Sequence, residues 1–270
     1  MGVNPYFPIM GTVEDVRIET EDTKTFTLKP LEPDKKLSAN PGQFILVGAM
    51  GVGEAPISVC SPPYQELQIS VRKIGKVTSA LHEARTGDIL HLRGPYGRGW
   101  PIDEAKGKEL LLIGGGIGLA PLRAVALADI EARKVTVCYG SRTPSLLLFR
   151  EEYPIWESRG IELDLTVDKP EQGWFGKVGV VTKLLEQRTI DVKHAVAFVC
   201  GPPIMIKFTV RTLSSIGLKP DSIFISLESR MRCGIGKCGH CHFGGKLVCT
   251  DGPVFSLEEA RDLPRELAQL

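Results

Sequence analysis

The segment Glu109-Leu-Leu-Leu-Ile-Gly-Gly-Gly-Ile-Gly-Leu-Ala-Pro121 decides the fold class. Residues 109–113 are a short apolar run that reads as a buried strand, and residues 122–132 have a helical pattern. Between them Gly114, Gly115, Gly116 and Gly118, with Ile117 among them, form a turn. A glycine turn joining a strand to a helix gathers backbone N–H groups at the positive end of the helix, a setting that suits a phosphate. The spacing is not G-x-G-x-x-G, and an ordinary tight strand-to-helix turn is the plain alternative. Pro121 fits a first helical position, where no amide hydrogen is required.

Downstream, strand patterns at 134–139, 162–167, 195–200 and 222–226 alternate with helical patterns at 145–158, 181–187 and 203–216. That alternation predicts an open parallel sheet. Upstream, residues 9–102 read as all-β, with alternating segments at 11–19, 23–28, 43–47, 68–73 and 89–92. Turn signals such as Pro41-Gly42, Ser61-Pro62-Pro63 and Thr86-Gly87-Asp88 separate them, and one helical segment, 78–83, interrupts them. A small antiparallel barrel or sandwich is expected. The three regions divide as 1–105, 106–226 and 227–270, the last ending in a short acidic-basic helix from residue 257 to 261 and beyond.

The last region holds the most specific chemistry, Arg232-Cys-Gly-Ile-Gly-Lys-Cys-Gly-His-Cys-His-Phe-Gly-Gly-Lys-Leu-Val-Cys249. Cys233, Cys238 and Cys241 have C-x4-C-x2-C spacing and Cys249 follows, the plant-type pattern for a [2Fe–2S] cluster. Such a cluster needs four thiolates, two per iron, and the interspersed glycines let N–H groups turn toward sulfur. Zinc is the main rival, but zinc sites usually pair two C-x2-C units or mix Cys with His. A disulfide framework is disfavoured because seven cysteines is an odd number and no signal peptide is present. Cys60, Cys138 and Cys200 lack ligand spacing and are left as non-ligands.

Three further segments carry candidate binding groups. Cys200-Gly201-Pro202-Pro203 lies at the carboxyl end of a strand, where open α/β sheets bind ligands; a buried Cys before a helix-starting Pro pair is the bland reading. Pro56-Ile57-Ser58-Val59 adjoins a strand end with exposed hydroxyls. Gly75-Lys76-Val77-Thr78-Ser79 places a glycine, a cation and two hydroxyls at a helix start, a cradle for a pyrophosphate or a common N-cap.

A net charge of +1 gives no reason to expect nucleic acid or an anionic membrane as partner. Hydrophobic content of 43 % and charged content of 24 % suit a globular chain, and no apolar run approaches the roughly 20 residues of a membrane span. A cytoplasmic location is expected.

In this order, these segments resemble the ferredoxin–NADP reductase superfamily over essentially the whole chain. The family's flavin motif Arg-x-Tyr-Ser falls on Ala55–Ser58, where Ser58 alone matches; the Gly75–Ser79 segment matches its second flavin-phosphate motif. The strings Gly51–Pro62, Gly75–Thr78, Arg93–Pro101, Gly201–Met205 and Glu228–Cys241 are similar to a narrower group. These are the flavin-binding electron-transfer subunits of multi-subunit enzymes, of soluble nickel–iron (sulf)hydrogenase, anaerobic sulfite reductase or dihydroorotate dehydrogenase type.

The resemblance implies an all-β FAD-binding barrel, an α/β nicotinamide-binding domain and a small C-terminal [2Fe–2S] domain. It implies FAD rather than FMN, since a second phosphate-binding segment would be superfluous for a mononucleotide. NAD(P)H would dock on the turn at Gly114–Gly118, with its ring beside Cys200, and hydride would pass to flavin N5 near Ser58. Electrons would leave through the cluster to the catalytic and iron–sulfur subunits of a hydrogenase- or sulfite reductase-type complex. A free-standing diaphorase and a redox sensor are the alternatives. Residues 135–143 lack the acid that marks an NAD ribose, whereas Ser141 and Arg142 could hold a 2′-phosphate, which leans toward NADP.

Overall fold

The computed structural model describes residues 6–32 and 37–260. The first region is a six-stranded antiparallel barrel of β1 (Ile9–Thr20), β2 (Thr23–Pro30), β3 (Phe44–Ala49), β4 (Gly53–Ser58), β5 (Leu67–Arg72) and β6 (Ile89–Tyr96). Their order is β4-β3-β6-β1-β2-β5, and an antiparallel bridge between Val59 and Ile69 draws the two ends together. Alternate residues face inward, so Val13, Phe26, Leu28, Ile45, Val47, Ile69 and Val71 fill the barrel. Helix α1 (Lys76–Glu83) plugs it with the fully buried Leu81.

The second region contains β7 (Glu109–Gly115), α2 (Leu119–Ala126), β8 (Lys134–Ser141), α3 (Tyr153–Ser158), β9 (Ile161–Val167) and β10 (Lys177–Val178). It continues through α4 (Thr182–Glu186), β11 (Ala195–Cys200), α5 (Pro203–Ser215) and β12 (Ile223–Ser226). The sheet order is β10-β9-β8-β7-β11-β12-β15, all parallel except β15 (Val254–Ser256), which runs antiparallel to β12. Strand β7 is buried throughout because helices cover both faces: Leu111 and Ile113 enter one core, Leu110 and Leu112 the other. The last region adds a two-stranded hairpin, β13 (His242–Phe243) and β14 (Lys246–Leu247), and α6 (Leu257–Ala260). Its β15 is the seventh strand of the main sheet, so the cysteine-bearing segment is stitched to the α/β region by backbone hydrogen bonds.

Three sequence expectations differ from the structure. The helix over 122–132 is α2, Leu119–Ala126, because the chain must turn back early to set Lys134 beside Glu109; Gly107 N–H donates to Glu131 O, and Arg133 N–H to Lys108 O. Pro121 is therefore the third helical residue, still in the turn whose amides have no intrahelical acceptor. The helix over 145–158 survives only as α3, preceded by two single 3₁₀ turns. Phe149 breaks it with φ of +56°, its ring buried and its N–H donated to the Glu19 carboxylate. The final helix is seen to Ala260; its expected continuation lies outside the described residues.

The barrel and the α/β region are locked by a buried ion network. Arg123 of α2 makes a two-point contact with Glu152, Nε–Oε2 at 2.6 Å and Nη2–Oε1 at 2.8 Å, and donates to Cys60 O and Gln68 Oε1. Arg17 of β1 reaches the same Glu152 at 2.7 Å and Glu19 at 2.6 Å. Burial pushes the Glu152 carboxyl up, but Arg123 and Arg17 outweigh it and hold the pKa below the usual carboxylate range. Below the barrel, Trp100 stacks on Phe198 of β11 with ring centres 4.9 Å apart.

Candidate functional site

The register of the parallel sheet brings the glycine turn and the Cys200 turn to one edge: Gly114 pairs with Cys200 on β11 and with Tyr139 on β8, and Gly115 with Gly140. The two turns touch. A Cβ on Gly118 would stand 2.3 Å from the Cys200 carbonyl oxygen, and one on Gly115 would stand 2.2 Å from Met205 Sδ. Gly118 is thus required by close backbone approach.

Above these turns opens a cavity of about 490 Å³ at the carboxyl ends of β7, β8 and β9. Of the residues singled out in the sequence, Gly115, Gly116, Ile117, Ser141, Arg142 and Pro202 line it. Gly114, Gly118, Cys200 and Gly201 do not line it; they form the support behind it. Four kinds of lining were not read from the sequence. Asp22, Thr23 and Arg72 come from the barrel, Asp168 from the end of β9, Val180, Val181 and Thr182 from the start of α4, and Ile204, Met205 and Phe208 from α5. Ile204 and Phe208 are apolar yet 61 % and 50 % exposed, as walls for a flat ring would be. Asp168 is held at Ser141 by its backbone, its N–H donating to Ser141 O at 3.0 Å. An acid therefore does reach the Ser141–Arg142 pair, from the next strand rather than from residues 135–143.

The Cys200 thiol is buried, and burial, with the nearby Glu228 carboxylate adding to it, pushes its pKa up to about 12, against the Ser226 hydroxyl. It stays a neutral thiol behind the wall of the cavity. Glu228 reaches solvent at the rim, yet surrounding protein desolvates its carboxyl and raises its pKa. Sequence reasoning missed Ser226 and Glu228; only the register of β11 with β12 brings them to Cys200.

On the barrel, β4 is an edge strand whose apolar Pro56 and Ile57 are only half-buried, with Ser58 at its end. Val59 turns into the core and is 1 % exposed, so only its backbone is available. Helix α1 lies beside β4, a Cβ on Gly53 falling 3.6 Å from Val77 Cγ2. The Thr78 hydroxyl accepts from Ile74 N–H and Gly75 N–H, which ties it to the turn. Lys76 and the Ser79 hydroxyl remain at the positive helix end, free to meet a phosphate. An apolar strip beside a phosphate cradle fits FAD: Pro56–Val59 would face the ring system and Gly75–Ser79 the pyrophosphate.

Cys233, Cys238 and Cys241 lie in one loop, and Cys249 in the turn that follows the β13–β14 hairpin. Cys233, Cys241 and Cys249 are buried and Cys238 is exposed. Gly234 and Gly236 have φ of +75° and +74°, the left-handed region that glycine tolerates, and this folds the loop tightly around the cysteines. Gly236 N–H donates to Cys249 Sγ at 3.2 Å and Cys238 N–H to Cys233 Sγ at 3.4 Å. Although burial pushes the Cys233 thiol up, backbone donors at Ile235, Cys238 and Lys237 bring it down to about 6. Burial and the adjacent Cys241 push Cys249 to about 12. Cys249 is influenced by both Cys241 and Cys233, so the buried thiols lie close to one another. Four cysteines with inward amide donors fit a two-iron cluster, which takes two thiolates per iron. Among the described residues no three of His, Cys, Asp and Glu are grouped to hold a single metal ion.

Arg93 of β6 joins these sites. It is 7 % exposed, contacts Glu54 of β4 from Nε at 3.0 Å, and donates to Cys233 O at 3.0 Å and Arg232 O at 3.1 Å. One guanidinium therefore links the strand carrying Ser58 to the backbone of the first cysteine. A Cβ on Gly234 would stand 2.8 Å from the Tyr96 ring, so the loop lies flat on the barrel there.

Comparison with known proteins agrees region by region. Residues 11–100 match the oxidoreductase FAD-binding domain, 112–211 the oxidoreductase NAD-binding domain, and 228–261 the iron–sulfur cluster binding domain of dihydroorotate dehydrogenase B. The chain is 40 % identical to sulfhydrogenase 2 subunit gamma of Pyrococcus furiosus, covering 96 % of this chain and 98 % of that protein. It is 37 % identical to a probable dihydroorotate dehydrogenase B (NAD(+)) electron transfer subunit of Methanocella arvoryzae, over 93 % and 91 % of the two chains. A solved structure of an NADH-dependent reduced ferredoxin–NADP oxidoreductase superposes with a TM-score of 0.78 at 28 % identity, covering 100 % of this chain and 94 % of that one. The chain belongs to the ferredoxin–NADP reductase-like oxidoreductases that bind FAD and a nicotinamide dinucleotide and carry a dihydroorotate dehydrogenase B-type iron–sulfur domain.

Proposed function

We propose that the chain is the electron-relay subunit of a multi-subunit redox complex, passing electrons between NAD(P)H and a catalytic partner of the soluble nickel–iron sulfhydrogenase type. The observation that carries this reading is the link through Arg93, which fixes the cysteine loop against the flavin strand of the same chain. Similarity over nearly the full length of a sulfhydrogenase gamma subunit supports the choice of partner.

In this reading Cys233, Cys238, Cys241 and Cys249 hold one [2Fe–2S] cluster. Bound FAD would supply the exchange between two-electron nicotinamide and one-electron carriers. The chain's own residues align and tune: Ser58 orients the flavin edge, the Gly114–Gly118 turn takes the dinucleotide phosphates, Cys200 backs the Gly201–Pro202 turn beside the nicotinamide ring, and Ser141 and Arg142 take the far ribose. Three regions, 1–105, 106–226 and 227–270, serve the three groups, although β15 ties the last into the sheet of the second.

A dihydroorotate dehydrogenase B-type partner is the second reading, favoured by the match of residues 228–261. Among the described residues no helix is long and apolar enough to cross a membrane. The test is purification of the native complex from cells, with identification of its subunits. A hydrogenase large subunit is expected, and the isolated chain should reduce one-electron dyes from NAD(P)H without evolving hydrogen. A dihydroorotate dehydrogenase catalytic subunit in its place would favour the second reading; hydrogen evolution by the chain alone would overturn both.

A further inference from the structure

Beneath the cysteine loop, the outer face of the barrel is built around one ion pair. In the sheet order β4-β3-β6, Gly48 of β3 stands opposite both Glu54 and His91, and Leu46 stands opposite both Pro56 and Arg93. Directly opposed residues point to the same face, so Glu54, His91, Arg93 and Leu46 share one side of the sheet. Ile45 and Val47 take the other side and fill the barrel. Leu46 is nonetheless only 1 % exposed, because the cysteine loop covers it: a Cβ on Gly234 would stand 3.1 Å from Leu46 Cδ1.

Every nitrogen of the Arg93 guanidinium is engaged there. Nε and Nη2 donate to the Glu54 carboxylate, Nη1 to Cys233 O, Nη2 also to Arg232 O, and Tyr96 Oη lies 3.5 Å from Nη1. The pair has no net charge but a fixed direction. Its guanidinium end touches the backbone of the first cysteine. Among the described residues the hydrogen bonds of the Glu54 carboxylate all go to Arg93, with His91 Nε2 3.6 Å away. The nearer end of such a pair dominates, since Coulomb energy falls with distance and grows where protein excludes water. Arg232 and Lys237, the cations next to Cys233 and Cys238 in the chain, are exposed, so water and salt screen them. Arg93 is buried and is screened much less.

We propose that Arg93, aimed by Glu54 at the Cys233 backbone, raises the reduction potential of the cluster and so draws electrons from the flavin into it. The inference rests on the relay reading above and adds what sets the direction of flow within the chain. Reduction places one electron on the cluster, one of two ferric irons becoming ferrous, and no bond forms or breaks. The charge of the four-thiolate group goes from about −2 to about −3. A fixed cation stabilises the more negative form, and net charge and solvent exposure are levers that set such potentials. A clamp that only fastened the loop would hold it equally in either redox state.

The test is a dye-mediated redox titration of the holoprotein at one pH, without nicotinamide, followed by electron paramagnetic resonance. Arg93→Gln should make the cluster about tenfold harder to reduce, a downward shift of about 59 mV for a one-electron couple. Glu54→Gln leaves the cation uncompensated and should shift the potential upward. Arg93→Lys keeps the charge without the planar fork and should stay closer to the parent than Arg93→Gln does. These signs should persist in high salt, because buried charges are poorly screened. If Arg93→Gln loses the cluster, Glu54→Gln, which leaves both contacts to the loop in place, decides by its sign. An unchanged or lowered potential in Glu54→Gln, or a shift in Arg93→Lys as large as in Arg93→Gln, would reduce Arg93 to a fastener and leave the relay intact. A parent protein without a cluster, or with one that NAD(P)H leaves oxidised, would overturn the relay and the tuning with it.

Discussion

At the scale of the residue, the site rests on close approach more than on charge. Cys200 is a neutral thiol behind the Gly201–Pro202 turn, and its position matters more than its reactivity. Cys200→Ala should slow nicotinamide-driven flavin reduction by up to about 100-fold in stopped-flow absorbance, because misplacing a reacting ring by about 1 Å costs that much. Iron content should not change; loss of iron would make Cys200 a ligand. Arg142 and Asp168 both line the cavity, and in the proposed ribose site they would have opposite preferences, the cation for a 2′-phosphate and the acid for a free ribose. Arg142→Ala is expected to raise KM for NADPH about tenfold or more and to leave KM for NADH within about twofold. Equal effects on both cofactors would remove Arg142 from the ribose site. The cysteine spacing and the glycine turn were legible because each is a local pattern with a chemical requirement. Asp168, Ser226 and Glu228 were not, since they reach the site only through strand register.

At the scale of the element, the C-terminal segment is held to the barrel by few but specific contacts. Arg98 donates to Val254 O and pairs with Glu259 of α6, side chains 45 % and 35 % exposed. Chiefly through Arg98, the Glu259 carboxyl is lowered to about 2. A depressed folded-state pKa contributes stability above the unfolded value and loses it as pH falls through the folded one. With solvent screening the pair is worth about 1 kcal/mol. Urea unfolding should therefore find Glu259→Gln less stable than the parent by about that amount near neutral pH, with the gap narrowing from about pH 4.5 toward 2. A gap independent of pH would assign the effect to packing. Strand β7 was legible as a continuous apolar run because both its faces are covered. Strand β15 was not, because Val254–Ser256 is three residues long and pairs only once β12 is in place. The helical pattern of 145–158 misled because buried Leu147, Leu148 and Phe149 pin the chain across the network of Glu19, Arg123 and Glu152.

At the scale of the whole molecule, two junctions fix the three regions against one another. The Arg17–Glu152–Arg123 network sets the barrel against the α/β region, and Arg93 sets the cysteine loop against the barrel. Neither junction is visible in local sequence, whereas the order of the three regions is. In the proposed relay, electrons from a nicotinamide reach a [2Fe–2S] cluster on this chain. The measurement that tests it most directly is low-temperature electron paramagnetic resonance of anaerobic holoprotein after addition of NAD(P)H, with iron and acid-labile sulfide analysis of the same sample. About two irons and two sulfides per chain, and one rhombic signal of a reduced [2Fe–2S] cluster that disappears in Cys249→Ala, are the predicted result. Zinc without labile sulfide, or a cluster that NAD(P)H leaves oxidised while the flavin is bleached, would contradict the account.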